Sequence, residues 1–128
     1  PAIEFAIALA RLVLPVLASA SAEVAIETNG TLPVPAGVDW VGVSPKARAE
    51  LVVTTGDELK LVFPQTGAEP ELFEDLAFTH HLLQPMDGPE KETNTRLAIR
   101  YCLEHPRWRP LVERFMADLR GADVGHPP

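Results

Sequence analysis

The sequence predicts an α/β fold built on a parallel sheet that is either open or part of a barrel. Short apolar segments typical of strands alternate with segments of helical periodicity, an order typical of parallel α/β proteins. Polar residues follow three of the predicted strands at their C-terminal ends, where parallel sheets bind ligands. We expect one domain, 1–128, since a chain of this length buries about two-thirds of its unfolded surface.

The first apolar segment, residues 5–22, predicts a buried helix kinked at Pro15. A signal peptide is the alternative, because the segment ends in alternating alanine and serine. No Lys or Arg precedes the segment, however, and Glu4 stands where a signal peptide carries positive charge. The segment is also marginal for the ~20 residues that span a bilayer. We therefore expect a cytoplasmic protein without a membrane partner.

Four strands are predicted from apolar or alternating segments that end at turn residues. They comprise residues 23–27, 40–43, 58–63 and 78–83. Asn29-Gly30 stops the first strand, because this dipeptide accepts the positive φ of a sharp turn. Between the strands, residues 47–53 predict a helical turn and residues 69–76 predict a short acidic helix.

Two helices are predicted in the C-terminal third of the chain. Helix 91–104 stops at His105-Pro106, since the residue before a proline disfavours helical backbone. Its predicted apolar side consists of Leu97, Ile99, Tyr101 and Cys102. Beyond Pro110, apolar residues recur at helical spacing up to Gly121, which predicts a second amphipathic helix.

Charge and cysteine content narrow the function classes. Eleven Lys and Arg against 18 Asp and Glu give a net charge of −7, so the basic surface of a nucleic-acid-binding protein is absent and a small-molecule partner fits better. The only cysteine, Cys102, excludes a multi-thiolate metal site within this sequence.

His80 and His81 point to opposite faces of a strand, so we predict structural roles and no metal site. Cys102, Trp40 and Trp108 are interpreted as packing residues.

Three sets of polar residues follow the first, second and fourth predicted strands. They are Glu27 with Thr28 and Asn29, Ser44 with Lys46, and Gln84 with Asp87. Each set alone is typical of ordinary turns, because Asn-Gly, Ser-Pro and Asp-Gly form turns without any ligand. Strands of a parallel sheet that run in the same direction end at the same edge, so one site would gather all three sets.

Several short segments follow one another along residues 24–109. They are Glu27-Thr28-Asn29-Gly30, Val43-Ser44-Pro45-Lys46, Glu58-Leu59-Lys60-Leu61-Val62, Leu83-Gln84-Pro85-Met86-Asp87-Gly88, Asn94-Thr95 and the segment 101–109. Glu27-Thr28-Asn29-Gly30 alone is a weak signal, but together and in register these segments resemble the C-terminal half of the 7-carboxy-7-deazaguanine synthases, a radical S-adenosylmethionine (SAM) family. The resemblance covers residues 24–109, whereas residues 1–23 and 110–128 diverge.

The resemblance implies a partial parallel (β/α) barrel of the radical SAM type, with its N-terminal half missing. It implies a carbon–nitrogen lyase that contracts 6-carboxy-5,6,7,8-tetrahydropterin to 7-carboxy-7-deazaguanine, in the biosynthesis of queuosine and other deazapurines. It also implies SAM, a four-iron four-sulfur cluster and Mg²⁺ as cofactors, a pterin substrate and a homodimer. Asn29, Ser44 and Gln84 would contact SAM, as would Lys46, and Glu27 would be the catalytic residue facing the substrate or the SAM ribose.

Two departures from the family pattern bear on activity. The family's three clustered cysteines and its Gly-Gly-Glu-Pro segment are not found, and since the sequence starts at Pro1 we expect them upstream. The family's last strand carries Gln-Thr-His-Lys, whereas the residues after Pro110 predict a helix. We therefore expect this chain alone to be inactive. Two alternatives stay open, a non-catalytic α/β remnant with weak or no ligand binding and a small secreted domain.

Overall fold

The computed structural model describes residues 23–111, which form a five-stranded sheet with one α-helix. The strands are β1 (Ala25–Thr28), β2 (Trp40–Val43), β3 (Thr55–Phe63), β4 (Ala77–Pro85) and β5 (Trp108–Pro110). Each strand pairs in parallel with the next, so the order in the sheet is the order in the chain. Helix α1 (Lys91–Glu104) connects β4 to β5, and a 3-10 helix (Pro70–Leu72) lies between β3 and β4. The predicted α/β class with a parallel sheet is confirmed.

The structure corrects the prediction in three segments. Residues 47–53 form only a turn, in which Ala49 N–H donates to Lys46 O at 3.3 Å, because Arg48 has a φ of 63° and leaves the right-handed helical region. The predicted acidic helix shrinks to Pro70–Leu72. Strand β5 is absent from the prediction, since three residues are too few to show alternation; it forms by pairing with β4.

The core lies on the side of the sheet that faces helix α1. Its most deeply buried strand residues, at most 1% exposed, are Val43, Leu59, Leu61, Leu83 and Trp108, and Phe78 of β4 is 4% exposed. Helix α1 packs against them through Asn94, Ala98 and Cys102, which recur every four residues on one face. The prediction that Leu97 and Ile99 face the core is wrong, since they are 40% and 37% exposed. Small side chains occupy the buried positions because a close-packed interface beside the sheet has no room for larger ones.

The histidines and tryptophans divide between the two faces of the sheet. His81 is 2% exposed and packs edge-on against Trp108 with ring centroids 5.1 Å apart, whereas His80 is exposed, so the predicted opposite orientation is confirmed. Trp108 is buried as predicted, and so is Cys102. Trp40, the other predicted packing residue, packs outside the core: it is 41% exposed and stacks on His80 with centroids 6.1 Å apart.

The opposite side of the sheet, which we call the open face, carries polar residues. Glu27, Gly42, Glu58 and His80 lie in register across β1 to β4, and they alternate along each strand with residues that face the core side. Lys60, two residues after Glu58, projects from the same face. Glu27, Glu58, Lys60 and His80 are exposed or half-buried, so these side chains of the open face are accessible in the described part of the chain.

Two aspartates fix the register where the strands begin. Asp39 Oδ2 accepts a hydrogen bond from Val24 N–H at 2.8 Å, and Asp57 Oδ2 accepts one from Val41 N–H at 2.7 Å. Strands β1 and β2 have four residues each and offer few ladder bonds, so these carboxylates contribute to their alignment.

The predicted helices over residues 5–22 and beyond Pro110 lie outside the described residues. Within residues 23–111, no helix has the length and apolar character needed to cross a membrane. The described residues thus include the whole segment, 24–109, that carries the family resemblance.

Candidate functional site

The predicted site residues lie at one edge of the sheet. Glu27 belongs to β1, Ser44 directly follows β2, and Gln84 is the penultimate residue of β4. These strands are parallel, so their C-terminal ends share an edge. Ser44 N–H donates to Thr28 O at 2.8 Å, which brings the loop after β2 beside the end of β1.

Glu27 presents an accessible carboxylate on the open face. Its side chain is 78% exposed, and its Oε1 lies 3.8 Å from Nζ of Lys60, whose side chain is 24% exposed. A Cβ on Gly42 in the neighbouring strand would lie 3.7 Å from Glu27 Cγ, so the glycine leaves space beside the carboxylate. An ion pair this exposed contributes little to stability. Both charged groups are therefore available to a polar ligand.

Asn29 shapes the turn after β1. Its Oδ1 accepts hydrogen bonds from Thr31 N–H at 3.1 Å and from Thr31 Oγ1 at 2.8 Å. Gly30 O accepts N–H groups of Val52 and Val53 at 2.7 and 3.0 Å, which fastens the turn to the segment before β3. Since the turn uses the amide oxygen, the Asn29 Nδ2 group is what this residue can donate to a ligand.

Ser44 and Lys46 form a second polar group at the same edge. Lys46 Nζ donates to Ser44 Oγ at 3.5 Å, and Lys46 is exposed. Pro45 between them is buried, which anchors the loop to the sheet. A hydroxyl next to an ammonium suits oxygen acceptors such as carboxylates or ribose hydroxyls.

Gln84 lies on the open-face side of β4. It pairs with Val62 of β3 and is half-buried between the buried residues Leu83 and Pro85. Asp87 does not join this group, because its Oδ1 accepts Gly88 N–H at 2.9 Å and lies 3.7 Å from Lys91 Nζ. Asp87 therefore belongs to the start of helix α1, whereas Gln84 belongs to the site edge.

Sequence comparison shows that the chain is similar to several proteins with the same name. It is 64% identical over 86 residues to the 7-carboxy-7-deazaguanine synthase of Bordetella pertussis, covering 67% of this chain and 41% of the relative. The synthase of Caulobacter vibrioides is 59% identical over 91 residues, covering 71% and 43%. The synthase of Nitratidesulfovibrio vulgaris is 53% identical over 109 residues, covering 83% and 50%.

The chain belongs to the 7-carboxy-7-deazaguanine synthase family. It spans half or less, 41–50%, of the length of these curated relatives. No protein-family model matches the sequence. The resemblance identified from residues 24–109 is thus confirmed.

The iron–sulfur cluster expected for a synthase of this family does not fit the described residues. Cys102 is the free thiol there, 8% exposed and packed in the core on the side away from the open face. Burial raises the pKa of Cys102 to about 11, which disfavours the thiolate that an iron ligand requires. Within residues 23–111, no three His, Cys, Asp or Glu side chains are grouped to hold a metal ion.

The structure adds residues that the sequence analysis gave no role. Gln65 follows β3 and contacts the loop after β2, and Asn94 is a buried polar residue of α1 that contacts the loop after β4. The helical spacing could have located Asn94, because Asn94, Ala98 and Cys102 recur every four residues on one side of the helix. Gln65 offers no comparable signal, since a glutamine after a strand is an ordinary loop residue.

Proposed function

We propose that this chain forms the C-terminal part of a radical SAM barrel in a 7-carboxy-7-deazaguanine synthase. Its open face and the sheet edge at Asn29, Ser44 and Gln84 would bind SAM and the pterin substrate. The observation that carries the proposal is that these residues, on three separate loops and strands, share one edge of a parallel sheet. The family membership supports the substrate class.

The edge residues match the polar groups of SAM. Asn29 supplies an amide donor, Ser44 a hydroxyl and Gln84 an amide that can both donate and accept. Ribose hydroxyls and the adenine edge are partners of that kind. Lys46, exposed beside Ser44, would pair with the carboxylate of the SAM methionine moiety, since an ammonium is a strong donor to carboxylates.

Glu27 is the proposed catalytic residue. Its exposed carboxylate on the open face can accept hydrogen bonds from ribose hydroxyls or hold a proton during the ring contraction of the pterin. Lys60 at 3.8 Å balances its charge. Gly42, the register partner of Glu27, puts no side chain of its own beside the carboxylate.

The complete enzyme would need parts that the described residues do not contain. We assign no step to the four-iron cluster, because its thiolate ligands have no counterpart among residues 23–111. In the proposed arrangement, cysteines outside this chain bind the cluster, Mg²⁺ binds with the substrate, and the synthase is a cytoplasmic homodimer that supplies deazapurine biosynthesis. By itself the chain would bind SAM weakly and form no product.

Nuclear magnetic resonance of the full chain, titrated with SAM, tests the proposed site. We expect saturable shifts of the backbone amides of residues 27–30 and of Ser44, Lys46, Gln84 and Met86. Replacement of Ser44 with alanine should weaken binding about three- to tenfold, the loss expected for one hydrogen bond. Thr66→Ala, in an exposed turn, serves as the matched control. Shifts confined to helix α1, or equal affinity of the Ser44 and Thr66 variants, would contradict the proposed site.

A further inference from the structure

Gln65 uses both ends of its amide to hold the loop that carries Ser44 and Lys46. Its Oε1 accepts Ala47 N–H at 2.9 Å, and its Nε2 donates to Val62 O at 3.2 Å. The ladder between β2 and β3 pairs only Gly42 with Glu58 and Val43 with Leu59. Beyond those pairs, the Gln65 side chain supplies a hydrogen-bonded link between the loop after β2 and the end of β3, in addition to the buried Pro45.

Asn94 plays the corresponding part for the loop after β4. The residue is 8% exposed in helix α1, and its Nδ2 donates to Met86 O at 3.1 Å. Met86 N–H donates to Phe63 O at 2.7 Å. Met86, two residues after Gln84, is thus held by β3 on one side and by α1 on the other. A buried amide is costly without such a bond, so this bond accounts for an asparagine at that position.

The two side chains act at adjacent positions. Gln65 ties one loop to Val62, and Asn94 holds Met86, which is itself bonded to Phe63. The end of β3 is therefore the common anchor of the loops on either side. We call Gln65 and Asn94 the amide clamp.

We infer that the amide clamp positions the SAM-binding edge, with Gln65 setting Ser44 and Lys46 and Asn94 setting Gln84. This inference rests on the proposed function. A binding edge made of loops must hold its polar groups within about 0.5 Å of the productive geometry, and the packing of supporting residues provides that precision. Neither clamp residue needs to touch the ligand.

The test uses the full chain with Gln65→Ala, Gln65→Glu and Asn94→Ala, and with Thr66→Ala and Thr95→Ala as neighbouring controls. Amide hydrogen exchange, amide chemical shifts and the dissociation constant for SAM are measured on the same samples. Gln65→Ala should raise the exchange rate of the Ala47 amide about five- to tenfold, the factor for one lost hydrogen bond. It should shift the signals of Ser44 and Lys46 and weaken SAM binding at least about fivefold.

Conservative replacement separates positioning from general stability. Gln65→Glu keeps an oxygen that accepts Ala47 N–H but replaces the Nε2 donor to Val62 O with a second acceptor, so it should restore the protection of that amide only in part. Asn94→Ala should change the signals of Met86 and Gln84 and leave those of Ser44 and Lys46 in place. The two controls should leave all of these signals and the affinity for SAM unchanged.

The outcomes that would overturn the inference differ from those that would overturn the proposed function. Unchanged Ala47 exchange in Gln65→Ala, or a uniform rise in exchange across the chain, contradicts the clamp. Loosened loops with unaltered affinity for SAM also contradict it. If the loops loosen as expected but the unaltered chain shows no SAM binding, the clamp stands and the proposed site fails. The Gln65 variants alter a half-buried loop residue, so they decide the matter even if Asn94→Ala does not fold.

Discussion

At the residue scale, Gly30 occupies a position that a side chain would disrupt. Its φ is 76°, and a Cβ there would lie 2.5 Å from Leu51 Cδ1 and 2.8 Å from Val43 Cγ1. The turn that carries Asn29 therefore depends on glycine for two reasons, the left-handed backbone and the close approach of the core.

We predict that Gly30→Ala lowers the free energy of unfolding by about 2–4 kcal/mol, the sum of left-handed strain and overpacking. Gly67→Ala is the matched control, because Gly67 has a φ of 88° but a Cβ there would meet only Ala47 Cβ at 3.5 Å. Its cost should be about 1–2 kcal/mol, from the backbone alone. Urea unfolding of both variants measures the difference, and equal losses would show that the side chains around Gly30 move aside without cost.

A second residue-scale prediction concerns His81, whose pKa is lowered from its ordinary value of 6.5. Burial is the main cause of the lowered pKa, and the positive charge of Arg107 lowers it further. The hydrogen bond with Phe73 O at 3.3 Å acts in the opposite direction. The unfolded chain keeps the ordinary value, so it binds the proton more readily than the folded chain. The contribution of uncharged His81 to the free energy of unfolding is therefore complete above pH ~6.5. It decreases as the pH falls toward the pKa of His81 in the folded chain, by at most about 1.4 kcal/mol per pH unit.

The measurement is urea unfolding between pH 7.5 and 5, comparing the unaltered chain with His81→Phe. The variant should lose part of the decrease in stability on acidification. Thr79→Ala, at an exposed position of the same strand, is the control that keeps the imidazole and its burial and should keep the pH dependence. An identical pH dependence in His81→Phe and the unaltered chain would assign the acid sensitivity to other groups.

Sequence patterns locate the candidate site residues better than the residues that hold their loops in place. Glu27, Ser44 and Gln84 can be placed because strand ends are marked by turn residues, and all three lie at the predicted ends. The side of the sheet that Trp40 occupies is not predicted, since an aromatic residue indicates packing but not the face on which it packs; Trp40 stacks on His80 on the open face. The role of Gln65 depends on a contact with Ala47, 18 positions away, which no local pattern encodes.

For helix α1, sequence periodicity predicts the bounds of the helix but only part of its buried side. Its bounds, Lys91–Glu104, agree with the prediction, because His105-Pro106 supplies a clear stop. Its buried side agrees only in part. Cys102 is buried and Tyr101 packs against the core as predicted, whereas Leu97 and Ile99 are exposed and Asn94 and Ala98 face the sheet. Hydrophobicity ranks Leu97 above Ala98, whereas the space beside the sheet admits only the smaller side chain.

We predict that Ala98→Leu destabilises the chain by about 1–3 kcal/mol through overpacking, because Ala98 is fully buried against the sheet. Leu97→Ala, one position away and 40% exposed in the native helix, should cost less than about 1 kcal/mol. Thermal or urea unfolding distinguishes the two. A larger loss from Leu97→Ala than from Ala98→Leu would show that the helix packs through the face predicted from hydrophobicity.

At the scale of the whole molecule, the sheet has one covered and one accessible face. Helix α1 and the core lie on one side, and the charged residues Glu27 and Lys60 lie on the other. The chain spans 41–50% of the length of its curated relatives. We interpret the open face as the inner wall of a barrel that the rest of a complete synthase would close.

The most direct test of this account is a chimera of the Bordetella pertussis synthase, in which its matched segment is replaced by the 86 corresponding residues of this chain. We predict that the chimera binds SAM and forms 7-carboxy-7-deazaguanine at a rate within about tenfold of the parent, since the identity over that segment is 64%. Combining Ser44→Ala with Gln84→Leu should weaken SAM binding about ten- to a hundredfold, as expected for two lost hydrogen bonds, whereas Thr66→Ala should not. A folded chimera that retains its iron–sulfur cluster but neither binds SAM nor forms product would contradict the account, as would a double variant that binds SAM as tightly as the unaltered chimera.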